Sequence, residues 1–162
     1  LWMMDNYEVE SVTGQTFRKL ADQTNQGNDF GDWDPKEFSV EDSAFGFIRM
    51  KNGAVIELEA AWALNTLEVD EAKTSLCGTK AGADNYIHHN KQVVEKPALS
   101  SEGVAFFSGE EKPAGDYEQE LFYHIVADGA EQVVKPAQAA VVTRVLEAIY
   151  ESAKSGKTIY FD

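Results

Sequence analysis

Four groups of residues in this 162-residue chain could do chemistry. The tripeptide Glu-Lys-Pro occurs twice, at Glu95-Lys96-Pro97 and Glu111-Lys112-Pro113. A lysine held by a neighbouring carboxylate can donate a proton to a carbonyl oxygen. Both copies sit in polar, aperiodic sequence, and Lys and Glu are rarely buried, so solvated turns are expected. His88 and His89 are adjacent in a predicted strand, where neighbouring side chains point to opposite faces and cannot easily share a metal. His124 lies on a predicted helix with Glu120 four residues before it. One imidazole and one carboxylate make a weak ligand set, and no metal is implied.

Cys77 precedes Gly78 with no obvious histidine companion, so a small buried residue is expected rather than a nucleophile. The fourth group is Trp62 and the polar run after it, Asn65, Thr66 and Glu68. Trp62 suits a sheet-core aromatic. Asn65, Thr66 and Glu68 leave the end of a predicted strand, where a scaffold presents hydrogen bonds to a ligand, which makes this segment the best candidate contact site. No G-x-G-x-x-G, G-x-x-x-x-G-K or G-x-S-x-G occurs, so the chain has neither a nucleotide cradle nor a serine elbow.

The elements that would position these residues follow from periodicity. Residues 1–4 (LWMM) read as the tail of a helix, and 7–20 as a strand carrying Val9, Val12 and Phe17. Residues 21–40 form a long Asn-, Asp- and Gly-rich loop with Phe30 and Trp33 as exposed aromatics. The clearest local signal is SAFGFIRM-KNG-AVIELEAAWAL, two apolar runs around Asn52-Gly53, with both turn residues expected at positive φ. Strands are predicted over 42–50 and 54–64. Ile56, Leu58, Ala60, Trp62 and Leu64 share one face of the second, and Val55, Glu57, Glu59, Ala61 and Ala63 the other.

Residues 72–77 and 86–94 read as strands separated by the tight connection GTKAGAD, and 104–107 adds another. The segment DYEQELFYHIVADG has helical spacing at Tyr117, Leu121 and Ile125 and stops at Gly129. A last helix begins at Pro136 and carries Val141, Val142, Val145, Leu146, Ile149, Tyr150 and Ala153 as one stripe before Gly156. TIYF closes the chain as a strand. Strands first and helices after indicate an α+β domain: a mostly antiparallel, open-faced sheet with helices packed on one face.

Composition narrows the partners. The 14 Lys plus Arg face 28 Asp plus Glu, a net charge of −14 that repels phosphate backbones and anionic lipid, so neither nucleic acid nor membrane is expected. No apolar run approaches the roughly 20 residues of a membrane helix. One cysteine precludes an intramolecular disulfide, and a reducing cytoplasm is the default compartment.

Taken in order, LWMMD-x-YEVESVTG, VEDSAFGFIRMKNGAVIELEAAWALN, LCGTKAGA and VKPAQAAVVTRVLEAIYESAKSGKTIYF resemble the C-terminal domain of Gfo/Idh/MocA oxidoreductases, almost end to end. The resemblance implies that residues 1–162 are one domain of a two-domain enzyme, with the N-terminal Rossmann domain absent from this chain. The whole enzyme would use NAD or NADP and act on a sugar, polyol or inositol-like substrate. This domain would shape the pocket, bind no cofactor itself, and assemble homo-oligomers through the open sheet face. The catalytic Asp and His would lie upstream of Leu1, and the family's E-K-P lysine belongs to the Rossmann domain, so neither E-K-P copy here inherits its role. The segment after the E-x-x-W strand would supply substrate contacts, which are Trp62, Asn65, Thr66 and Glu68 in this chain. Residues 1–162 alone would be inactive. The alternative is a free-standing acidic binding or scaffold module.

Overall fold

The Asn-Gly pair closes a hairpin in the computed structural model, which describes residues 1–20, 22, 33–62, 73–79, 81–86, 92–97, 105–107 and 114–162. Strand β1 spans Val9–Phe17, β2 Ser43–Met50 and β3 Val55–Ala61. β2 and β3 pair antiparallel from Ser43↔Ala61 to Arg49↔Val55. The turn departs from expectation, because Gly53 has a φ of 88° while Asn52 does not reach positive φ. The Gly53 N–H donates to the Met50 carbonyl, and the Met50 N–H to the Ala54 carbonyl, each at 2.9 Å. Residues 51–53 therefore turn between the bonded Met50 and Ala54, and only the last needs the left-handed conformation that glycine adopts without a steric penalty. Asn52 acts through its side chain instead, its Oδ1 accepting from the Ala54 N–H at 3.0 Å.

The chain divides into two compact units, Leu1–Asn65 with Gln132–Asp162, and Thr66–Glu131. In the first, an antiparallel sheet runs β3-β2-β1-β8, with β8 at Ile159–Tyr160. A 3-10 turn at Trp2–Met4 precedes β1 and ends in Asp5 at φ 45°. Helix α2, Pro136–Ser155, covers one face of this sheet. Its start is fixed by Gln138, whose Oε1 accepts from the Lys135 N–H at 2.8 Å, and Gly156 ends it at φ 68°.

The helix approaches the sheet closely because glycines pair beneath it. Gly14 on β1 lies opposite Gly46 on β2. A Cβ at Gly14 would meet Ile149 Cγ2 at 2.7 Å, and one at Gly46 would meet Ile149 Cδ1 at 2.9 Å. Ile149 thus packs into a depression two glycines make. Around it Val9, Val12, Ile48, Met50, Val145 and Ala148 form the buried core, with Ile56, Leu58 and Val141 packed against it. Full burial of each large aliphatic side chain is worth about 1.5–3 kcal/mol.

The expected helix stripe divides in two. Val145 and Ile149 are buried, but Val142, Leu146 and Tyr150 are exposed, and Ala148 and Ser152 take the inner positions. Ser152 earns its burial through a hydrogen bond: its hydroxyl accepts from the Gly14 N–H at 2.9 Å. β8 pairs β1 only at Ser11 and Val12, so the next stretch of β1 needs partners from elsewhere.

In the second unit β4 Lys73–Cys77, β5 Ala81–Tyr86, β6 Gln92–Pro97 and β7 Ala105–Phe107 form an antiparallel sheet in chain order. Helix α1, Ala114–Asp128, follows, and Gly129 after it has φ 68°. The predicted connection GTKAGAD is corrected here, since its second half is strand β5. Gly82 pairs with Cys77, and a Cβ there would meet the Leu76 carbonyl oxygen at 2.8 Å. That glycine marks close backbone approach within a strand rather than a turn. The predicted strand over 86–94 is replaced by the end of β5 and the start of β6, and residues 87–91 lie outside the described ones. The fold is α+β, with antiparallel strands and two helices, as expected.

Candidate functional site

The sequence candidates separate sharply once placed. Glu95, Lys96 and Pro97 belong to strand β6, paired with β5 at Ala83, Gly82 and Ala81, so this copy is no turn. The extended run QVVEKP carries the ladder through the tripeptide, and Pro97 sits at its last residue, where a missing N–H costs least. Glu111-Lys112-Pro113, His88 and His89 lie outside the described residues. Cys77 is exposed, against expectation, because the strand that carries it ends there. His124 pairs with Asp128 four residues on, Nδ1 to Oδ2 at 2.6 Å, a partner the sequence reading overlooked by counting backwards along the helix. Both are about half exposed, so the pair is a surface contact. Among the described residues no group of three or more His, Cys, Asp or Glu could hold a metal ion.

Trp62 is where the described residues converge. It follows β3 and is 45% exposed, which excludes a plain core role. Its backbone N–H donates to the Asp42 carbonyl at 3.1 Å, and its indole N–H donates to the Glu41 carbonyl at 2.9 Å. Two aromatic rings from the loop between β1 and β2 stand against it. Trp33 meets it edge-on at 5.5 Å between centroids and 88° between planes, and Phe38 at 5.2 Å and 54°. Trp33, expected to be exposed, is half-buried by this contact, while Phe30 lies outside the described residues. Edge-to-face arrangements match the positive edge of one ring to the negative face of another.

Polar anchors hold the two ends of that loop. Arg18 donates from Nε to the Phe38 carbonyl at 3.1 Å and from Nη2 to the Pro35 carbonyl at 2.8 Å. Asp42, 2% exposed, accepts from the Lys19 and Leu20 backbone amides on Oδ2 and from the Ser43 hydroxyl on Oδ1. Burial by itself would raise the Asp42 pKa. The amides of Leu20 and Lys19, the Ser43 hydroxyl and the Arg18 charge outweigh burial and hold the carboxyl below its ordinary 3.8. Glu41 ties the same corner to α2, its Oε1 accepting from the Tyr150 hydroxyl at 2.7 Å. That hydrogen bond, with burial and the carboxylate charge, raises the Tyr150 pKa above 10.0.

Of the predicted contact residues, Trp62 is thus placed, and Asn65, Thr66 and Glu68 lie outside the described residues. The sequence reading missed Trp33, Phe38, Arg18 and Asp42 as members of one cluster. Their signal was the Glu41-Asp42 pair opening the hairpin, because a buried carboxylate there must find donors across the strand end. An open concavity of about 510 Å³ also lies beside the 3-10 turn, lined by Leu1, Trp2, Val134 and Val142 among others. Its lining is mostly apolar and includes no charged side chain.

Residues 1–161 match the family described as "Oxidoreductase family, C-terminal alpha/beta domain", and the chain belongs to it. It is 31% identical over 155 residues to D-glucoside 3-dehydrogenase of Escherichia coli (strain K12), covering 93% of this chain and 42% of that protein. The fold is similar to that of levoglucosan dehydrogenase in its apo form, with a TM-score of 0.70 at 18% identity over 96% of this chain and 46% of the other. A structure of levoglucosan dehydrogenase with NADH and L-sorbose gives 0.66 at 17% identity, over 96% of this chain and 45% of the other. The aldose-aldose oxidoreductase of Caulobacter crescentus, complexed with glycerol, gives 0.68 at 18% over 95% and 42%. The chain therefore spans less than half the length of these relatives.

Proposed function

We propose that residues 1–162 are the substrate-side domain of an NAD(P)-dependent oxidoreductase acting on a sugar, polyol or inositol-like molecule. The family match across residues 1–161 carries this reading, supported by a relative named for glucoside oxidation. The nicotinamide would supply hydride exchange at a carbinol carbon in the whole enzyme. The residues here do not fit a dinucleotide. The chain has no G-x-G-x-x-G, and α2 opens with Lys135-Pro136, where proline removes one of the amides that cradle a pyrophosphate. A partnering Rossmann domain is accordingly assigned the cofactor, together with the acid, base and lysine. Trp62, Asn65, Thr66 and Glu68 are assigned to the substrate.

The uncovered face of the first sheet is assigned to self-association. It carries Phe17, Phe45, Phe47, Val55 and Tyr160 beside Arg49, Glu57 and Glu59, an apolar surface interrupted by charges of both signs. A self-complementary patch of that kind suits a two-fold homo-oligomer. In this reading the protein works in the cytoplasm, away from nucleic acid and membranes. No helix among the described residues is long and apolar enough to cross a membrane.

The test is turnover. The protein encoded by the whole reading frame should reduce NAD or NADP with a pyranoside or polyol, while residues 1–162 alone should show none. Turnover by the isolated 162 residues would overturn the division of labour. A reading frame that starts at Leu1 would instead favour a free-standing acidic binding module.

A further inference from the structure

We propose that Trp62, backed by Trp33 and Phe38, is a stacking platform for the C–H face of a pyranose ring. The proposal rests on the sugar oxidoreductase reading and names what that site would recognise. A tryptophan at a strand end that served only the core would be buried, yet Trp62 keeps 45% of its surface exposed. Its exposure is not looseness, because both of its N–H groups are already engaged, at Asp42 and Glu41. What remains to offer a ligand is ring surface.

Two further aromatic rings fix the orientation of that surface. Neither ring comes from the neighbouring strands. Both are delivered by the loop between β1 and β2, and Arg18 and Asp42 clamp that loop at Pro35, Phe38, Lys19 and Leu20. Anchoring a loop with a buried carboxylate in order to set aromatic rings around an exposed indole is organisation in excess of what folding the hairpin requires. A platform built before its ligand arrives spends little conformational entropy on binding.

A pyranose chair suits this surface better than an open chain. Its axial C–H groups form a flat, weakly positive face that matches the negative face of an indole, and its equatorial hydroxyls remain free to hydrogen-bond outward. An extended polyol has no such face. The platform thus selects rings, and Arg18 and Asp42 are positioning residues that act through the loop.

Isothermal titration of the full-length protein with methyl β-D-glucopyranoside and, separately, D-sorbitol tests this, together with steady-state kinetics. Trp62→Ala should weaken pyranoside binding and raise its KM about tenfold, with kcat nearly unchanged. Trp62→Phe, which keeps an aromatic face and a folded cluster, should recover most of that loss. Binding of D-sorbitol should respond to neither variant. Equal loss for pyranoside and sorbitol, or an unchanged pyranoside KM in a Trp62→Ala protein whose circular dichroism is native, overturns the platform. Absence of any NAD(P) reduction alongside Trp62-dependent pyranoside binding would instead sink the oxidoreductase reading and leave the platform standing.

Discussion

The two faces of the first sheet are made from the same strands and share almost nothing else. Beneath α2 the strands present Val12, Gly14, Gly46, Ile48 and Met50, small or aliphatic residues into which Ile149 fits. On the other side Thr13, Gln15, Phe17, Phe45, Phe47, Val55, Glu57 and Glu59 alternate large rings with polar groups, and Phe17 meets Phe45 edge-on at 6.1 Å. The first face is shaped to one partner already in the chain. The second has no helix of the first unit over it among the described residues, and Phe17 and Phe47 are exposed. The buried core lies on one face, and the proposed association surface is the other.

That division can be broken most strongly at its centre. Ile149→Ala removes the side chain that fills the glycine depression and should lower the free energy of unfolding by about 2–5 kcal/mol, read by urea denaturation. Gly14→Ala should cost about 1–3 kcal/mol by overpacking. Its new methyl would press on Ile149 at its backbone Cα as well as its side chain, whereas at Gly46 only the flexible end of Ile149 stands in the way. Gly46→Ala should therefore cost less than Gly14→Ala, and equal costs would contradict the geometry.

Asp42 supplies the pH arm at the edge of the covered face. Its folded pKa lies below the ordinary 3.8, so its contribution to stability is complete above that value and is lost as pH falls through the folded one. Asp42→Asn should cost about 1.5 kcal/mol at neutral pH and flatten the stability profile below roughly pH 4. Thermal unfolding across pH 2–7 would read both effects, on the order of a few degrees. Open-face substitutions should matter least to folding: Phe47→Glu, which sets a second carboxylate opposite Glu57, is expected to cost about 1 kcal/mol.

Much of this was legible in the sequence, because hairpin, helix and stop signals are local. Asn52-Gly53 marked the turn, Gly129 and Gly156 the helix ends, and the alternation in β3 sorted Ile56 and Leu58 from Glu57 and Glu59. What was not legible depended on distant partners. Ser152 reads as polar until the unpaired Gly14 amide is found, and Gly82 reads as a turn until Leu76 lies against it. The same holds for the site. Trp62 could be named from its place near the end of the predicted strand, but its companions come from across a long loop, and the Arg18 and Asp42 anchors hold the loop that brings Trp33 and Phe38 to it.

Sedimentation equilibrium over a wide concentration range tests the separation of the two faces most directly. The account predicts that the wild-type protein self-associates and that Phe47→Glu is a folded monomer over the same concentrations. A wild-type protein that stays strictly monomeric, or a Phe47→Glu protein that associates as the wild type does, would contradict it.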